Sequence, residues 1–190
     1  MFPNHVVFVE SAGEKDSNIY NPRCSLDELE TKTILEAIIV DYVVYLMSTR
    51  GYNGLKLFTD KLGRTAQDPI LDTITRQMIH KAEEFRVNFL PRFENRKALL
   101  HRAPERAQLD FMDTVSSIWK DGMLNWGRLL GYMTFVADYC MTCLDAGIVF
   151  LINFLVEYAV KDLDSQMGRW IIANGGWRGF MDALETLKTK

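Results

Sequence analysis

No charged residue occurs between Leu129 and Ala137, and beyond Asp138 and Asp145 the chain runs Ala146-Gly-Ile-Val-Phe-Leu-Ile-Asn-Phe-Leu-Val156. That run is apolar on nearly every side of any helix it forms, and a helix hydrophobic all round belongs in a core. The rest of the chain must therefore pack about two apolar helices, one from Asn125 to about Leu144 and one from Ala146 to about Val160. At their head stands Asn125-Trp126-Gly127-Arg128, and further on comes Asn174-Gly175-Gly176-Trp177. A buried cation needs a partner, and none is expected near Arg128 in the sequence. Arg128 reads either as a solvated helix-end residue or as a fixed charge awaiting a carboxylate from outside the chain.

With 190 residues, 48% of them hydrophobic, the chain can bury a substantial core. The expected organisation is an N-terminal extension over residues 1–24 and one helical domain over residues 25–190. A formal charge of -3, with lysine and arginine spread along the chain, gives no basic stripe and argues against nucleic acid. Three cysteines, Cys24, Cys140 and Cys143, make an odd count that favours a reducing, cytoplasmic setting. The opening residues lack the pattern of a signal peptide. No apolar run reaches the ~18 residues of a membrane-spanning helix, so the chain is expected to be soluble.

The pattern elsewhere is helical. Ser25-Leu-Asp-Glu28 has capping-box spacing, and Ile34, Leu35, Ile38, Ile39, Tyr42, Val43, Leu46 and Met47 recur behind it at three and four until about Gly51. Asp68-Pro69 supplies an N-cap and a first-turn proline for a helix reaching about Leu90. Its stripe of Leu71, Ile74, Met78, Ala82, Phe85 and Phe89 is opposed by Asp72, Arg76, Glu83 and Arg86. A weak helical stretch follows to about Leu100. Pro104 opens a segment in which Leu109, Met112, Val115, Ile118 and Trp119 keep helical spacing to Gly122. After the apolar pair come a short helix around Leu163 to Ala173 and a last one after Gly176. Seven or eight helices without a strand pattern predict an all-α globule around a central apolar hairpin.

Two segments then carry a resemblance. Lys120-Asp-Gly-Met-Leu-Asn-Trp-Gly-Arg-Leu-Leu-Gly-Tyr-Met-Thr-Phe135 resembles the first homology motif of the Bcl-2 family of apoptosis regulators, and Trp170-Ile-Ile-Ala-Asn-Gly-Gly-Trp-Arg-Gly-Phe180 resembles its second. Val40 to Tyr52 resembles the fourth motif, most typical of survival-promoting members. Met78-Ile-His-Lys-Ala-Glu-Glu-Phe85 is similar to the third, although Met78, Ala82 and Glu83 stand where leucine, glycine and aspartate are usual. The resemblance implies the Bcl-2 fold, with amphipathic helices around the hairpin, and an activity of binding rather than catalysis.

On a helix, Arg128, Gly131, Tyr132 and Phe135 share one face, which carries a cation, a gap and two rings. Such a face suits a guest helix with an aspartate beside its apolar stripe. The guest's carboxylate would sit on Arg128, its small residues would pass close to Gly127, and Asn125 would add a hydrogen bond. Met78, Ala82, Phe85, Phe89, Val115, Ile118 and Trp119 would form the walls. The resemblance makes this the groove that captures the death-motif (BH3) helix of pro-apoptotic Bcl-2 proteins.

Each assignment has a plainer counterpart. Arg128 could equally serve a surface or internal ion pair, and Phe85 and Phe89 plain core. Trp126, Trp170 and Trp177 read as packing anchors, and Gly175-Gly176 as a helix junction needing tight approach or unusual dihedrals. Asp138 reads either as tuning the groove toward basic guests or as facing solvent. Cys140-Met-Thr-Cys143 has redox spacing but lies in an apolar helix without strand context, which favours inert thiols. His5, His80 and His101 lack metal-ligand spacing and no phosphate-binding loop follows a strand, so neither an enzyme nor a cofactor is expected.

Three classes remain: a survival-promoting decoy, which the resemblance favours; a pore-forming effector whose hairpin inserts into membranes; and, remotely, a helical scaffold without a groove. Many family members carry a C-terminal anchor for the mitochondrial outer membrane, whereas this chain finishes Leu187-Lys-Thr-Lys190. Membrane association is expected only through an anchor absent from this chain.

Overall fold

The computed structural model describes residues 31–58, 68–89 and 103–187, and within them six α-helices joined by turns and three short 3-10 segments. The 1–24 extension, the Ser25–Glu28 capping box and the stretch ending near Leu100 lie outside the described residues. The all-α class is as predicted.

Helix α1, Thr31–Thr49, buries Ile34, Leu35, Ala37 to Val40, Tyr42, Val43, Leu46 and Met47. These residues leave it little of a polar face, and it packs along both hairpin helices. Gly51, with φ +77°, turns the chain after it, a conformation that favours glycine. Helix α2, Pro69–Phe89, begins as its sequence dictates: Asp68 Oδ1 accepts from the backbone N–H of Ile70 at 2.9 Å and Leu71 at 3.2 Å. Leu71, Ile74, Met78 and Ala82 turn inward.

Helix α3, Ala107–Ile118, follows the 3-10 turn Pro104–Arg106 and buries Ala107, Phe111 and Val115. The expected register through Leu109 is corrected, because Leu109 is 59% exposed. The Phe111 ring decides the rotation by packing on Phe135 at 5.8 Å and Tyr139 at 5.1 Å, where a large aromatic surface leaves water.

Helix α4, Trp126–Asp145, is buried from Leu129 to Leu144 at every position but Gly131. The helices expected over 146–160 and 163–173 are one, α5, Ile152–Ala173, entered through Gly147 (φ +76°) and the 3-10 turn Val149–Leu151. Residues 146–151 are thus the hairpin bend, and the run is not buried all round. Phe150 is 83% exposed, and Asn153, Phe154 and Glu157 face outward. Asp162, between the two expected helices, accepts hydrogen bonds from Trp119 at the end of α3 and from Tyr132 of α4. Among the described residues, no helix is long and apolar enough to cross a membrane.

Helix α6, Gly176–Thr186, closes the bundle behind Gly175 and Gly176, at φ +94° and +61°. The unusual dihedrals expected of this pair are present, and a Cβ on Gly179 would meet the Asn174 carbonyl oxygen at 2.4 Å. Trp126 packs on Trp170 at 4.6 Å and on Phe180 at 5.6 Å, while Trp177 is buried. The tryptophans are packing anchors.

Candidate partner-helix groove

Asn125 sets the start of the site. Its backbone is extended, and its Oδ1 accepts from the Arg128 N–H at 2.8 Å, so α4 begins at Trp126 and carries Arg128 on its first turn. This commits Asn125 Oδ1 to the cap.

The expectation that Arg128 has no partner nearby in the chain is corrected. Arg128 Nη1 and Nη2 both donate to Asp121, the Nη2–Oδ2 contact measuring 2.8 Å. Nη1 also reaches the carbonyl oxygens of Ile118 at 2.9 Å and Met123 at 2.8 Å. Asp121 stands seven residues earlier, before the start of α4, on a turn next to Gly122 (φ +68°). Its carboxylate also accepts from the Met123 N–H at 3.0 Å. The hydrogen bond from Arg128 and then that of Met123 hold the Asp121 carboxyl well below the usual carboxylate range, and the hydrogen bond to Asp121 raises Arg128.

A Cβ on Gly131 would lie 3.4 Å from Phe85 Cζ, an ordinary contact, and half-buried Phe85 of α2 covers this position. Gly127 faces Leu187 at the end of α6, with 3.5 Å between its ideal Cβ and Leu187 Cδ2. Tyr132, 1% exposed, donates to Asp162 Oδ2 at 2.8 Å. Trp119 Nε1 donates to the same oxygen at 2.8 Å and stacks on Tyr132 at 5.3 Å. Burial and then the Asp162 charge push the Tyr132 hydroxyl well above its ordinary range. Phe135, Met78, Ala82 and Val115 are also buried, whereas Ile118 and Trp119 are partly exposed. Phe89 ends α2, and its side chain lies outside the described residues.

The expected site residues thus fall into two sets. Asn125, Gly127, Arg128, Gly131, Ile118, Trp119 and Phe85 are exposed or half-buried, and Tyr132, Phe135, Met78, Ala82 and Val115 are buried, Phe89 being outside the described side chains. Sequence reasoning missed Asp121 and Asp162, because both act across turns and between helices where periodicity carries no signal.

Behind the site lies a charged cluster that corrects two expectations. Glu83 and Arg86 do not simply form a polar face of α2, and Asp138 neither faces solvent nor lines a surface. Arg86 donates to Glu83 Oε2 at 2.8 Å and to buried Asp138 at 3.4 Å, while the Tyr42 hydroxyl donates to Glu83 at 3.0 Å. Burial first, then the Glu83 charge, pushes the Tyr42 hydroxyl well above its ordinary range. Cys140 and Cys143 are free and buried; burial raises both thiols, Cys143 to about 12. Among the described residues no group of three or more histidines, cysteines or acids is placed to hold a metal.

The sequence profile described as "Apoptosis regulator proteins, Bcl-2 family" matches residues 71–177, more than half of the chain. This chain belongs to the Bcl-2 family. It is 27% identical over 118 residues to Bcl-2-like protein 1 of Rattus norvegicus, covering 62% of this chain and 50% of that one. It is 30% identical over 108 residues to the Gallus gallus protein of the same name, covering 56% and 47%. Apoptosis regulator R11 of Xenopus laevis is 24% identical over 115 residues, covering 60% and 56%. The chain thus spans about half the length of the curated relatives it matches. The Bcl-2 match covers α2 from Leu71 through α5 and reaches Trp177, so it includes both halves of the hairpin and the Arg128 turn.

Proposed function

We propose that this Bcl-2 protein is a survival-promoting member that captures the death-motif helix of pro-apoptotic Bcl-2 proteins and so blocks permeabilisation of the mitochondrial outer membrane. Its action is binding, in the cytoplasm and at that membrane. The observation that carries the reading is the posture of Arg128: a half-buried guanidinium, gripped by two backbone carbonyls, with its fork on a carboxylate. A fork held this way is built for bidentate carboxylate recognition. The names of the relatives, Bcl-2-like protein 1 and apoptosis regulator R11, agree with it.

The guest helix would lie across the first turns of α4 with its aspartate on Arg128, using the Asn125 amide Nδ2 as a second donor. Its apolar residues would reach Tyr132, Phe135, Met78, Ala82 and Val115 only as Phe85 and Trp119 move aside, an interface adjustment common in regulatory complexes. Arg128→Ala should weaken an aspartate-bearing death-motif peptide by roughly 2–5 kcal/mol, the scale for truncating one partner of a buried charge pair. Calorimetry showing unchanged affinity would overturn the assignment.

A further inference from the structure

The seat on Arg128 that the proposed guest aspartate needs is already taken by a carboxylate of the same chain. Asp121 meets Arg128 through both of its oxygens, the geometry by which a guest aspartate would be recognised. The two holds on the guanidinium differ in kind. The Ile118 and Met123 carbonyls are neutral backbone acceptors. Asp121 is charged, and its side chain is 52% exposed against 20% for Arg128. It stands beside Gly122, whose φ of +68° puts the joint between α3 and α4 in the left-handed region. Release of Asp121 therefore takes a carboxylate into water, where it is well solvated, and leaves the guanidinium held by the carbonyls.

We infer that Asp121 is an internal competitor for the guest's aspartate: it keeps Arg128 paired and oriented in the empty protein, and yields the fork when a guest carboxylate arrives. The inference rests on the groove reading above. Competition has two consequences that a merely structural ion pair lacks. Every guest must displace a carboxylate to use Arg128, so the apparent affinity is lowered by the strength of the internal pair. Guests without a carboxylate at that position escape part of this penalty, which narrows the advantage of those that have one.

Asp121→Asn separates the two roles. Asparagine keeps the shape and an oxygen able to accept the Met123 N–H, but gives up the charge. A death-motif peptide bearing its aspartate is titrated into wild type and D121N, in parallel with the same peptide carrying asparagine instead. D121N should bind the aspartate peptide roughly two- to five-fold more tightly, the range set by a solvent-exposed ion pair, and the asparagine peptide no more tightly than wild type does. The gain should vanish in the Arg128→Ala background. Weaker or unchanged binding of the aspartate peptide by D121N overturns the competitor and makes Asp121 a support for Arg128. An equal gain for both peptides also overturns it, as a general charge effect. A peptide that binds neither wild type nor D121N overturns the groove reading and the competitor with it, whereas binding without the selective gain overturns the competitor alone.

Discussion

At the head of an apolar helix, a guanidinium takes the carboxylate that the path of the chain can deliver, and here the Gly122 turn delivers Asp121. The residue types around Arg128 were readable; their pairing was not, because it depends on how α3 meets α4. The cysteines show the opposite case. Their place in an uncharged helical run implied burial, and burial holds both thiols neutral, Cys143 up to about 12. In a Cys24→Ser variant, Cys140 and Cys143 should resist a thiol reagent at mildly alkaline pH while the protein is folded and both react once it is denatured; rapid labelling of the folded protein would contradict their burial. The sign for stability follows. Unfolded thiols ionise near ~8.5 while folded ones stay protonated, so these two sites favour the unfolded chain increasingly as pH rises from that value toward about 12.

Helix α2 was legible as an element from its Asp68-Pro69 cap to its stripe, yet its polar side misled. Glu83 and Arg86 look solvated by period alone, but α1 and α4 bring Tyr42 and Asp138 to them. Arg86 and Asp138 side chains are 14% and 7% exposed, so the pair is screened little by water. Arg86→Met should therefore cost roughly 3 kcal/mol in urea unfolding, near the low end for stranding a buried charge because Glu83 reaches solvent. A loss below about 1 kcal/mol would assign the cluster no more weight than a surface pair. The two helices expected over 146–160 and 163–173 are one, α5, and Asp162 within it takes both Trp119 and Tyr132.

For the whole molecule, the hairpin is less separable than its sequence suggests. α1 lies along both α4 and α5, so the most buried layer has three helices. Moving the hairpin into a membrane would part Asp138 from Arg86, Asp145 from Arg50 and Asp162 from Trp119. Each charge at the bilayer centre costs about 3 kcal/mol on insertion scales. The protein mixed with a death-motif peptide and mitochondria-like vesicles should therefore leave their contents retained; release beyond the peptide-only control would make it an effector.

What the sequence determined by itself was local: the cap at Asp68, the turns at Gly51, Gly122 and Gly175-Gly176, the apolar run, and the motifs that mark a Bcl-2 protein. Those signals act within a few residues, through backbone dihedrals, capping hydrogen bonds and helical period. The tertiary structure alone decided the rotation of α3, the burial of Asp138 and the partner of Arg128. Each of these depends on which surfaces of distant segments meet, and an ion pair or an aromatic stack takes its energy from that meeting rather than from spacing along the chain.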